Sequence, residues 1–429
     1  KGPEIRTLLL KNDEAKLSKG QEFTFYTGKD DDFLGDESGV GIDYRNIVKV
    51  IKKGEYILVD DGLIFCRVVE IGDDYVKTIV ENDAVLGNRK GCNLPSVQVD
   101  LPAVTSKDKQ DLKFGVKKHV DFIAASFIRK PEDLADIRSV LGKGGSHIKI
   151  ISKIESEEGV ENFDEILKVS DGIMVARGDL GVEIPLEKVL IAQKDMISKC
   201  NIAGKPVITA TQMLESMIVN PRPTRAEACD VGNAVFDGTD CVMLSGETAK
   251  GDYPVKAVET MAKICITTES SLNYRTTQRV LLNSVYEKYQ EGTLSMAESI
   301  CSSAVKTSSD LSAALIITST ETGSTARFIS KYRPQVPIYA VTQHHDTASQ
   351  LMITRGVVPV VVGSIIGNDS IIQKIILVAK SKGIIYENDV VVATSGQSEG
   401  IAGTTNSFTC FKVNTSKSHL FKRSSNMEK

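Results

Sequence analysis

The first hundred residues alternate hydrophobic and polar positions over short stretches. Three clear examples are Tyr56 to Val59, Ile64 to Val69 and Tyr75 to Val80, which are separated by turn-forming pairs such as Asp-Gly and Gly-Asp. Side chains along a strand point to opposite faces in turn, so this period of two is typical of half-buried β-strands. The pattern predicts a compact β domain over residues 4–101.

From residue 102 the pattern changes to hydrophobic strands that alternate with amphipathic helices, which is typical of βα units around a parallel sheet. The predicted strands are Asp121 to Ser126, Ile148 to Ile154, Gly172 to Ala176, Pro206 to Ala210 and Cys241 to Leu244. The helices predicted to follow them are Pro131 to Leu141, Glu157 to Val169, Leu186 to Cys200, Thr224 to Phe236 and Pro254 to Thr268. Polar residues at the strand ends recur roughly every 30 residues, which favours a β/α barrel over an open sheet with long connections.

After a helical connection, a second and smaller α/β pattern extends over residues 286–413. Its predicted strands are Ala314 to Thr318, Ile338 to Val341, Val357 to Val362, Val390 to Thr394 and Phe408 to Val413. This pattern predicts a separate domain with a regulatory or assembly role. Residues 414–429 are polar and basic without periodicity, which predicts a frayed tail.

Composition narrows the range of functions. The 429 residues carry a formal net charge of −4, so the chain as a whole has no electrostatic reason to bind nucleic acid or an anionic membrane. The eight cysteines form no C-x-x-C pair, which favours reduced thiols in a cytoplasmic protein, and the five histidines lack metal-ligand spacing. No hydrophobic run approaches the roughly 18 residues of a membrane-spanning helix, and no signal-peptide pattern opens the sequence.

Charged residues end two successive predicted strands. Lys153 and Glu155 lie two positions apart, so their side chains point into one site, and Asp179 adds a second carboxylate at the same rim. Magnesium is commonly held by one or two carboxylates together with substrate phosphate oxygens. Glu155 and Asp179 supply that pair, and Lys153 supplies positive charge for a transferring phosphoryl group. Taken alone, Lys153 and Glu155 are more typical of a structural salt bridge than of a catalytic site.

Hydroxyl and carboxyl groups end the next two predicted strands. Thr211, Ser245 and Glu247 can form a water-mediated proton path, although each alone is more often a strand-end or helix-cap residue. Five successive strands that end in polar groups argue against independent capping. No Walker A sequence is present, so nucleotide phosphates must be bound by other means.

Six longer sequence motifs occur along the chain, and both their residues and their order bear on the family of the protein. They are K-G-P-E-I-R-T (1–7), I-I-S-K-I-E (150–155), M-V-A-R-G-D-L-G (174–181), A-T-Q-M-L-E-S-M (210–217), P-R-P-T-R-A-E (221–227) and L-S-G-E-T-A-K-G (244–251). In this order, across nearly the whole chain, they resemble the pyruvate kinases. The resemblance implies transfer of a phosphoryl group from phosphoenolpyruvate to ADP in glycolysis, followed by protonation of the enolate, in a cytoplasmic homotetramer.

The resemblance also implies the fold: an α/β protein with a (β/α)8 barrel, an inserted β-barrel-like lid and a C-terminal open α/β domain. Residues 1–3 are then a hinge and a remnant of the upstream barrel, 4–101 the mobile lid, and 102–285 the catalytic barrel. Residues 286–413 form the effector and assembly domain, and 414–429 the polar tail. The first βα units, a substrate-contacting arginine and the ligands of K⁺ are expected upstream of Lys1, while Glu4 is similar to the acidic residue of potassium-dependent members.

Individual roles follow from the resemblance at the matching positions. Glu155 and Asp179 correspond to the ligands of Mg²⁺ or Mn²⁺, and Lys153 to the residue that stabilises the phosphoryl group. The remaining matches are Gly178, Asp179 and Thr211 for the substrate carboxylate, Thr211, Ser245 and Glu247 for enolate protonation, Arg6 and Lys90 for the nucleotide phosphates, and Ser126 for the pocket lining.

The segment I-T-S-T-E-T-G-S-T-A-R (317–327) resembles the family's sugar-phosphate loop, although ordinary N-capping is an alternative. Its candidate phosphate-binding residues are Ser319, Thr320, Thr322, Gly323, Ser324 and Thr325. Glu321 departs from the pattern because a carboxylate there opposes an anion, and no Lys or Arg occurs between Lys382 and Lys412. We therefore expect weak or absent activation by fructose 1,6-bisphosphate, with a monophosphate or no effector instead.

Two rival interpretations stay open at this point. One is another barrel enzyme that acts on phosphoenolpyruvate or pyruvate, against which the inserted β domain with K-G-P-E-I-R-T argues. The other is a catalytically incomplete homologue, which applies if the protein truly begins at Lys1. The presence of Lys153, Glu155, Asp179 and Thr211 argues against decay of the site.

Overall fold

The structure is a computed structural model that describes residues 2, 4–30, 32–288, 293–365, 368–396 and 403–414. Contacts divide the chain into two compact units. The first comprises Lys1–Ile197, Ile208–Asp237 and Val242–Lys263, and the second comprises Ser198–Val207, Gly238–Cys241 and Ile264–Lys429. None of the described helices combines the length and hydropathy needed to cross a membrane.

The β domain at the start of the first unit consists of short strands in which buried residues alternate with accessible ones. In chain order its elements are β1 (Ile5–Arg6), β2 (Glu14–Leu17), β3 (Glu22–Tyr26), β4 (Gly39–Gly41), α1 (Ile47–Val50), β5 (Tyr56–Val59), β6 (Ile64–Ile71), β7 (Tyr75–Val80), β8 (Ala84–Gly87) and β9 (Gly91–Asn93). In β7 every second residue is buried, as the period of two predicts.

The main sheet of this β domain has seven strands in the order β1-β9-β5-β6-β7-β3-β4, and β2 pairs with β8 separately. Its two edges meet, because Thr7 bridges Ile42 and the amide of Leu8 donates a 2.8 Å hydrogen bond to the carbonyl of Gly41. The inward side chains, including Phe23 and Phe25, form one core. The sheet is therefore barrel-like, as expected.

Strands and helices alternate from residue 106 to residue 270. The elements are α2 (Ser106–Lys117), β10 (Phe122–Ala125), α3 (Pro131–Leu141), β11 (Lys149–Ile154), α4 (Glu157–Glu161), α5 (Phe163–Val169), β12 (Gly172–Ala176), α6 (Arg177–Glu183), α7 (Leu186–Ala203), β13 (Val207–Ala210), α8 (Arg225–Asp237), β14 (Cys241–Val242), α9 (Gly246–Ala249) and α10 (Pro254–Ser270). The five strands form one sheet in chain order, and β10, β11 and β12 are parallel neighbours. This is the β/α arrangement that the sequence predicts.

The register of the sheet positions the candidate site. Ala125 pairs with Ser152, and Lys153 pairs with Met174, so β10, β11 and β12 end at the same edge. All residues of β12 are buried, because both faces of the strand are covered. The residues that follow these strands are thereby brought together.

Two local predictions differ from the structure. The single helix predicted over Glu157 to Val169 is divided at Asn162, whose side-chain amide donates a 2.9 Å hydrogen bond to the carbonyl of Arg129. An asparagine side chain that bonds the backbone favours such a break. The helix predicted after β12 begins at Leu186, whereas the structure also has the two-turn helix α6 directly after that strand.

The C-terminal part of the second unit is an open α/β domain. Its elements are α11 (Tyr274–Lys288), α12 (Met296–Asp310), β15 (Leu315–Ser319), α13 (Ser324–Lys331), β16 (Ile338–Thr342), α14 (His345–Leu351), β17 (Val357–Val361), α15 (Asn368–Ser381), β18 (Val390–Gly396) and β19 (Thr405–Lys412). The sheet order is β17-β16-β15-β18-β19, with only the last pair antiparallel. Lys1, Pro3 and residues 415–429 of the predicted hinge and tail lie outside the described residues, and the finer domain boundaries stay predictions.

Candidate active site

Lys153 and Glu155 form an ion pair at the carboxyl end of β11. The Nζ atom of Lys153 lies 2.6 Å from Oε1 of Glu155. It also donates a 2.8 Å hydrogen bond to Oγ of Ser126, the residue that follows β10. The three side chains that the sequence assigns to neighbouring strand ends are therefore in direct contact.

The carboxylate of Glu155 is buried, with 1% of the residue exposed. Its Oε2 accepts a 2.6 Å hydrogen bond from the backbone amide of Phe127, a residue with a φ of 52°. Although Oε1 is close to the Lys153 ammonium, no donor among the described residues reaches Oε1 with hydrogen-bonding geometry. A buried carboxylate oxygen without a hydrogen bond is costly. This oxygen is therefore suited to accept a cation.

Asp179 lies in the first turn of α6, directly after β12. Burial, followed by the negative charge of Glu155, raises the pKa of Asp179 to about 6, while Lys153 acts in the opposite direction. A cation shared by the two carboxylates would relieve this repulsion. No group of three or more His, Cys, Asp or Glu side chains with metal-binding geometry occurs in the described part of the chain. The two carboxylates thus fit a cation that completes its coordination with substrate oxygens.

Thr211 follows β13 in a strained backbone conformation, with a φ of 70° that β-branched residues rarely adopt. Its Oγ1 accepts a 2.7 Å hydrogen bond from the amide of Gly178 and donates one of 2.6 Å to the carbonyl of Ala210. The guanidinium of Arg177 donates 2.7 Å hydrogen bonds to the carbonyl of Thr211 and to the carboxylate of Asp230. Arg177 therefore holds the Thr211 peptide in place.

Glu247 connects the loops that follow β13 and β14. It is 1% exposed, and its two carboxylate oxygens accept backbone hydrogen bonds of 3.0 Å from Leu214 and 2.7 Å from Ser245. Both oxygens are thus used by the backbone. Glu247 fixes the position of Ser245.

Arg6 and Lys90 lie on the β-domain side of a cavity of about 440 Å³. Arg6 forms a 2.6 Å ion pair with Glu4, and Lys90 forms one of 2.9 Å with Asp60. Asp179 lines the same cavity from the barrel side. Ser126, Lys153, Thr211, Ser245 and Glu247 are not part of its lining.

The sequence analysis missed four residues at this site: Phe127, Arg177, Asn93 and Glu183. The amide of the Asn93 side chain donates a 2.8 Å hydrogen bond to Glu183 at the end of α6. Burial raises the pKa of Glu183 to about 7, an effect that Asn93 opposes and that the charges of Asp179 and Glu157 reinforce. Arg177 and Glu183 lie within four residues of Asp179 in the sequence. This proximity to a predicted metal ligand is the signal that could have identified them.

The candidate phosphate loop lies between β15 and α13 in the second unit. Gly323 has a φ of 80° and caps α13, and the hydroxyls of Thr322 and Ser324 lie 3.1 Å apart. Oε2 of Glu321 lies 2.7 Å from Nε2 of His344, and the Glu321 carbonyl accepts a 2.8 Å hydrogen bond from Thr347. Thr325 is buried against Thr405, so its hydroxyl is already used within the domain.

Comparisons with known proteins agree with this architecture. Residues 1–258 match the family model of the pyruvate kinase barrel domain, and residues 298–410 match that of the pyruvate kinase alpha/beta domain. A pyruvate kinase of Dictyostelium discoideum is 51% identical over 97% of this chain and 82% of its own length. A pyruvate kinase of Eimeria tenella is 49% identical over 95% of this chain and 76% of its own.

A solved structure is also similar. The crystal structure of a pyruvate kinase from Cryptosporidium parvum superimposes with a TM-score of 0.88 and 44% identity, covering 96% of this chain and 82% of the other. The family models together match well over half of the residues, and the curated relatives match along most of their length. The chain belongs to the pyruvate kinase family.

Proposed function

We propose that this chain transfers a phosphoryl group from phosphoenolpyruvate to ADP, giving ATP and, after uptake of a proton on carbon, pyruvate. The observation that carries the proposal is the Lys153 ammonium, which contacts Ser126 and Glu155 at the strand edge where Asp179 also lies. Phosphoryl transfer is catalysed chiefly by positioning and by positive charge near the transferring group. This arrangement supplies a fixed cation beside two carboxylates.

Glu155 and Asp179 would hold Mg²⁺ or Mn²⁺, since pyruvate kinases generally use Mg²⁺ and K⁺. The buried Oε1 of Glu155 without a hydrogen bond and the raised pKa of Asp179 both fit a bound cation. When bound, a divalent cation supplies positive charge that neutralises phosphoryl oxygens. K⁺ would be a second bound cation, with Glu4 as the acidic residue near its site.

The substrate would lie against the strand ends. Gly178, Asp179 and Thr211 would bind the carboxylate of phosphoenolpyruvate, and Ser126 would line the pocket. The Thr211 peptide is already fixed by Arg177. Lys153 would approach the phosphoryl group and stabilise the charge that develops during transfer.

The nucleotide would enter from the β-domain side. Arg6 and Lys90 now pair with the partly exposed carboxylates of Glu4 and Asp60. Ion pairs of this kind contribute little stability, so the two cations can exchange these partners for phosphate oxygens of ADP at small cost.

Proton delivery to the enolate would use the hydroxyls of Thr211 and Ser245 through water. Both oxygens of Glu247 accept backbone hydrogen bonds. Its part in this step is therefore to hold the two loops at the correct separation. Transfer of the proton to carbon gives the ketone form of pyruvate.

Assembly as a homotetramer and a cytoplasmic location are further proposals from the family resemblance. The C-terminal domain would bind the effector and support assembly. Sedimentation of the purified protein tests the tetramer, and a single species of monomer mass would contradict it.

A coupled assay tests the reaction itself. Purified protein with Mg²⁺, K⁺, ADP and phosphoenolpyruvate should form ATP and pyruvate in equal amounts without inorganic phosphate. Formation of ATP only from AMP and pyrophosphate, with release of inorganic phosphate, would favour a dikinase-type barrel enzyme instead. Lys153→Met is the matched control for contaminating activity.

A further inference from the structure

The short helix α6 contacts the candidate site at one end and the β domain at the other. Its first turn carries Arg177, Gly178 and Asp179. Its last two residues, Val182 and Glu183, face the β domain. The contact between the β domain and the last turn of α6 is therefore separated from the proposed active site only by the length of this short helix.

Two parts of the β domain meet the end of α6. The side chain of Asn93 donates its 2.8 Å hydrogen bond to Oε1 of Glu183. The turn at Gly62 packs on Val182, since a Cβ atom built on Gly62 would lie 3.4 Å from Cγ1 of Val182. The contact thus combines a polar bond with close packing.

Asn93 is in turn connected to both proposed nucleotide-binding cations. It is the last residue of β9, which begins directly after Lys90. β9 pairs with β1, and Arg6 lies opposite Gly91 in that pairing. Because the strands are hydrogen-bonded, the position of Asn93 determines where Arg6 and Lys90 lie relative to the barrel.

The segment that returns from the β domain to the barrel is anchored independently. Arg129 is buried and donates hydrogen bonds of 2.9 Å to the carbonyl of Val99 and 2.6 Å to that of Leu101. A buried guanidinium bound to two carbonyls is a stable attachment. If the β domain moves, the movement would therefore involve the residues that precede residue 99. These residues include Asn93.

We propose that Asn93 and Glu183 form a latch that docks the β domain on α6 and so positions Arg6 and Lys90 for the nucleotide. The two are positioning residues, because they act through Arg6 and Lys90 rather than on the substrates. The proposal rests on the proposed function. In this proposal the latch affects the affinity for ADP, whereas phosphoenolpyruvate is bound by residues of the barrel.

The test compares Asn93→Ala, Glu183→Ala and Glu183→Gln in the full protein, with Asn82→Ala as the control. Asn82 bonds only within the β domain among its described contacts, to Leu63, Phe65 and Asp83. Removal of either side chain leaves the other, part-buried group without its hydrogen-bond partner, so both alanine variants should raise KM for ADP about tenfold. KM for phosphoenolpyruvate should change less than about twofold. Glu183→Gln keeps the acceptor oxygen and should stay near the unaltered protein.

Amide hydrogen exchange without substrates gives a second readout, in which β1 and β9 should exchange faster in Asn93→Ala but not in Asn82→Ala. Equal changes in both KM values, no change in either, or a Glu183→Gln variant as impaired as Glu183→Ala would each overturn the latch. If the unaltered protein formed no ATP, the proposed function would fall. The latch would then be tested by the affinity for ADP measured by calorimetry, which it requires to weaken in Asn93→Ala.

Discussion

The guanidinium of Arg177 lies 2.7 Å from the carbonyl oxygen of Thr211, a residue whose φ of 70° places it in the left-handed region. Strained conformations of this kind persist when the surrounding structure over-determines them, and they are common at functional sites. The bond therefore connects a partly buried structural side chain to the geometry of a proposed catalytic hydroxyl.

Arg177→Lys should lower kcat by about ten- to a hundredfold, because lysine keeps the charge near Asp230 but lacks the forked donors that reach the Thr211 carbonyl. The control is Arg138→Lys, an arginine that likewise bonds a carbonyl, that of Ile148, and an aspartate, Asp171. It should leave kcat nearly unchanged. Steady-state kinetics measure kcat for both variants. Equal losses of kcat in the two variants would show that the effect is only structural.

Asp179→Asn should raise the Mg²⁺ concentration needed for half-maximal activity and lower maximal activity about a hundredfold or more, because one of the two proposed ligands loses its charge. Activity is measured as a function of free Mg²⁺ and of free Mn²⁺. Asp171→Asn, at the opposite end of β12, serves as the control. Unaltered metal dependence in Asp179→Asn would remove this residue from the metal site.

Lys153→Met and Thr211→Ala should separate phosphoryl transfer from proton delivery. Loss of the ammonium at Lys153 should abolish ATP formation while exchange of the methyl protons of pyruvate with solvent stays measurable. Thr211→Ala should slow that exchange markedly, because its hydroxyl is proposed to lie on the proton path. Proton NMR of pyruvate in heavy water follows the exchange. Its complete loss in Lys153→Met, with metal and pyruvate still bound, would refute this division of roles.

Glu183→Gln should flatten the dependence of stability on pH between about 4.5 and 7. Burial raises the folded-state pKa of Glu183 to about 7, so the unaltered protein should lose stability as pH rises through this window, by about 3 kcal/mol. Below pH 4.5 the carboxyl is neutral in both states, and the effect is absent. Urea unfolding at pH 5 and pH 8 measures the difference between the two proteins. An equal pH dependence in both would contradict the raised pKa.

Fructose 1,6-bisphosphate should activate this enzyme weakly or not at all. Glu321 places a carboxylate in the candidate phosphate loop and already pairs with His344. Titration at subsaturating phosphoenolpyruvate is the measurement, with a monophosphate sugar for comparison. A many-fold rise in activity at micromolar bisphosphate, lost on Ser324→Ala, would show that the loop binds the anion despite Glu321. The control is Ser381→Ala, outside the loop, whose hydroxyl donates a 2.8 Å hydrogen bond to the carbonyl of Val378.

The sequence by itself determined the order of the strands and the residues that end them. The hydrophobic period alone predicted β7 as Tyr75–Val80 and β12 as Gly172–Ala176, because burial on one or both faces of a strand leaves a direct record in the sequence. Parallel strands in one sheet bring their carboxyl ends together, and Lys153, Glu155 and Ser126 are indeed in contact. The motifs were sufficient to predict the family.

Only the tertiary structure decided which side chains act on one another across long separations in the chain. The bond from Asn93 to Glu183 joins residues 90 positions apart, and that from Arg177 to Thr211 joins residues 34 positions apart. The hydrophobic period of the sequence does not indicate that the two residues of either pair are in contact. Likewise, the raised pKa of Glu183 and the buried ion pair of Glu155 with Lys153 depend on burial and on the positions of neighbouring groups. These quantities arise from packing in three dimensions, which the spacing of residues along a chain does not specify.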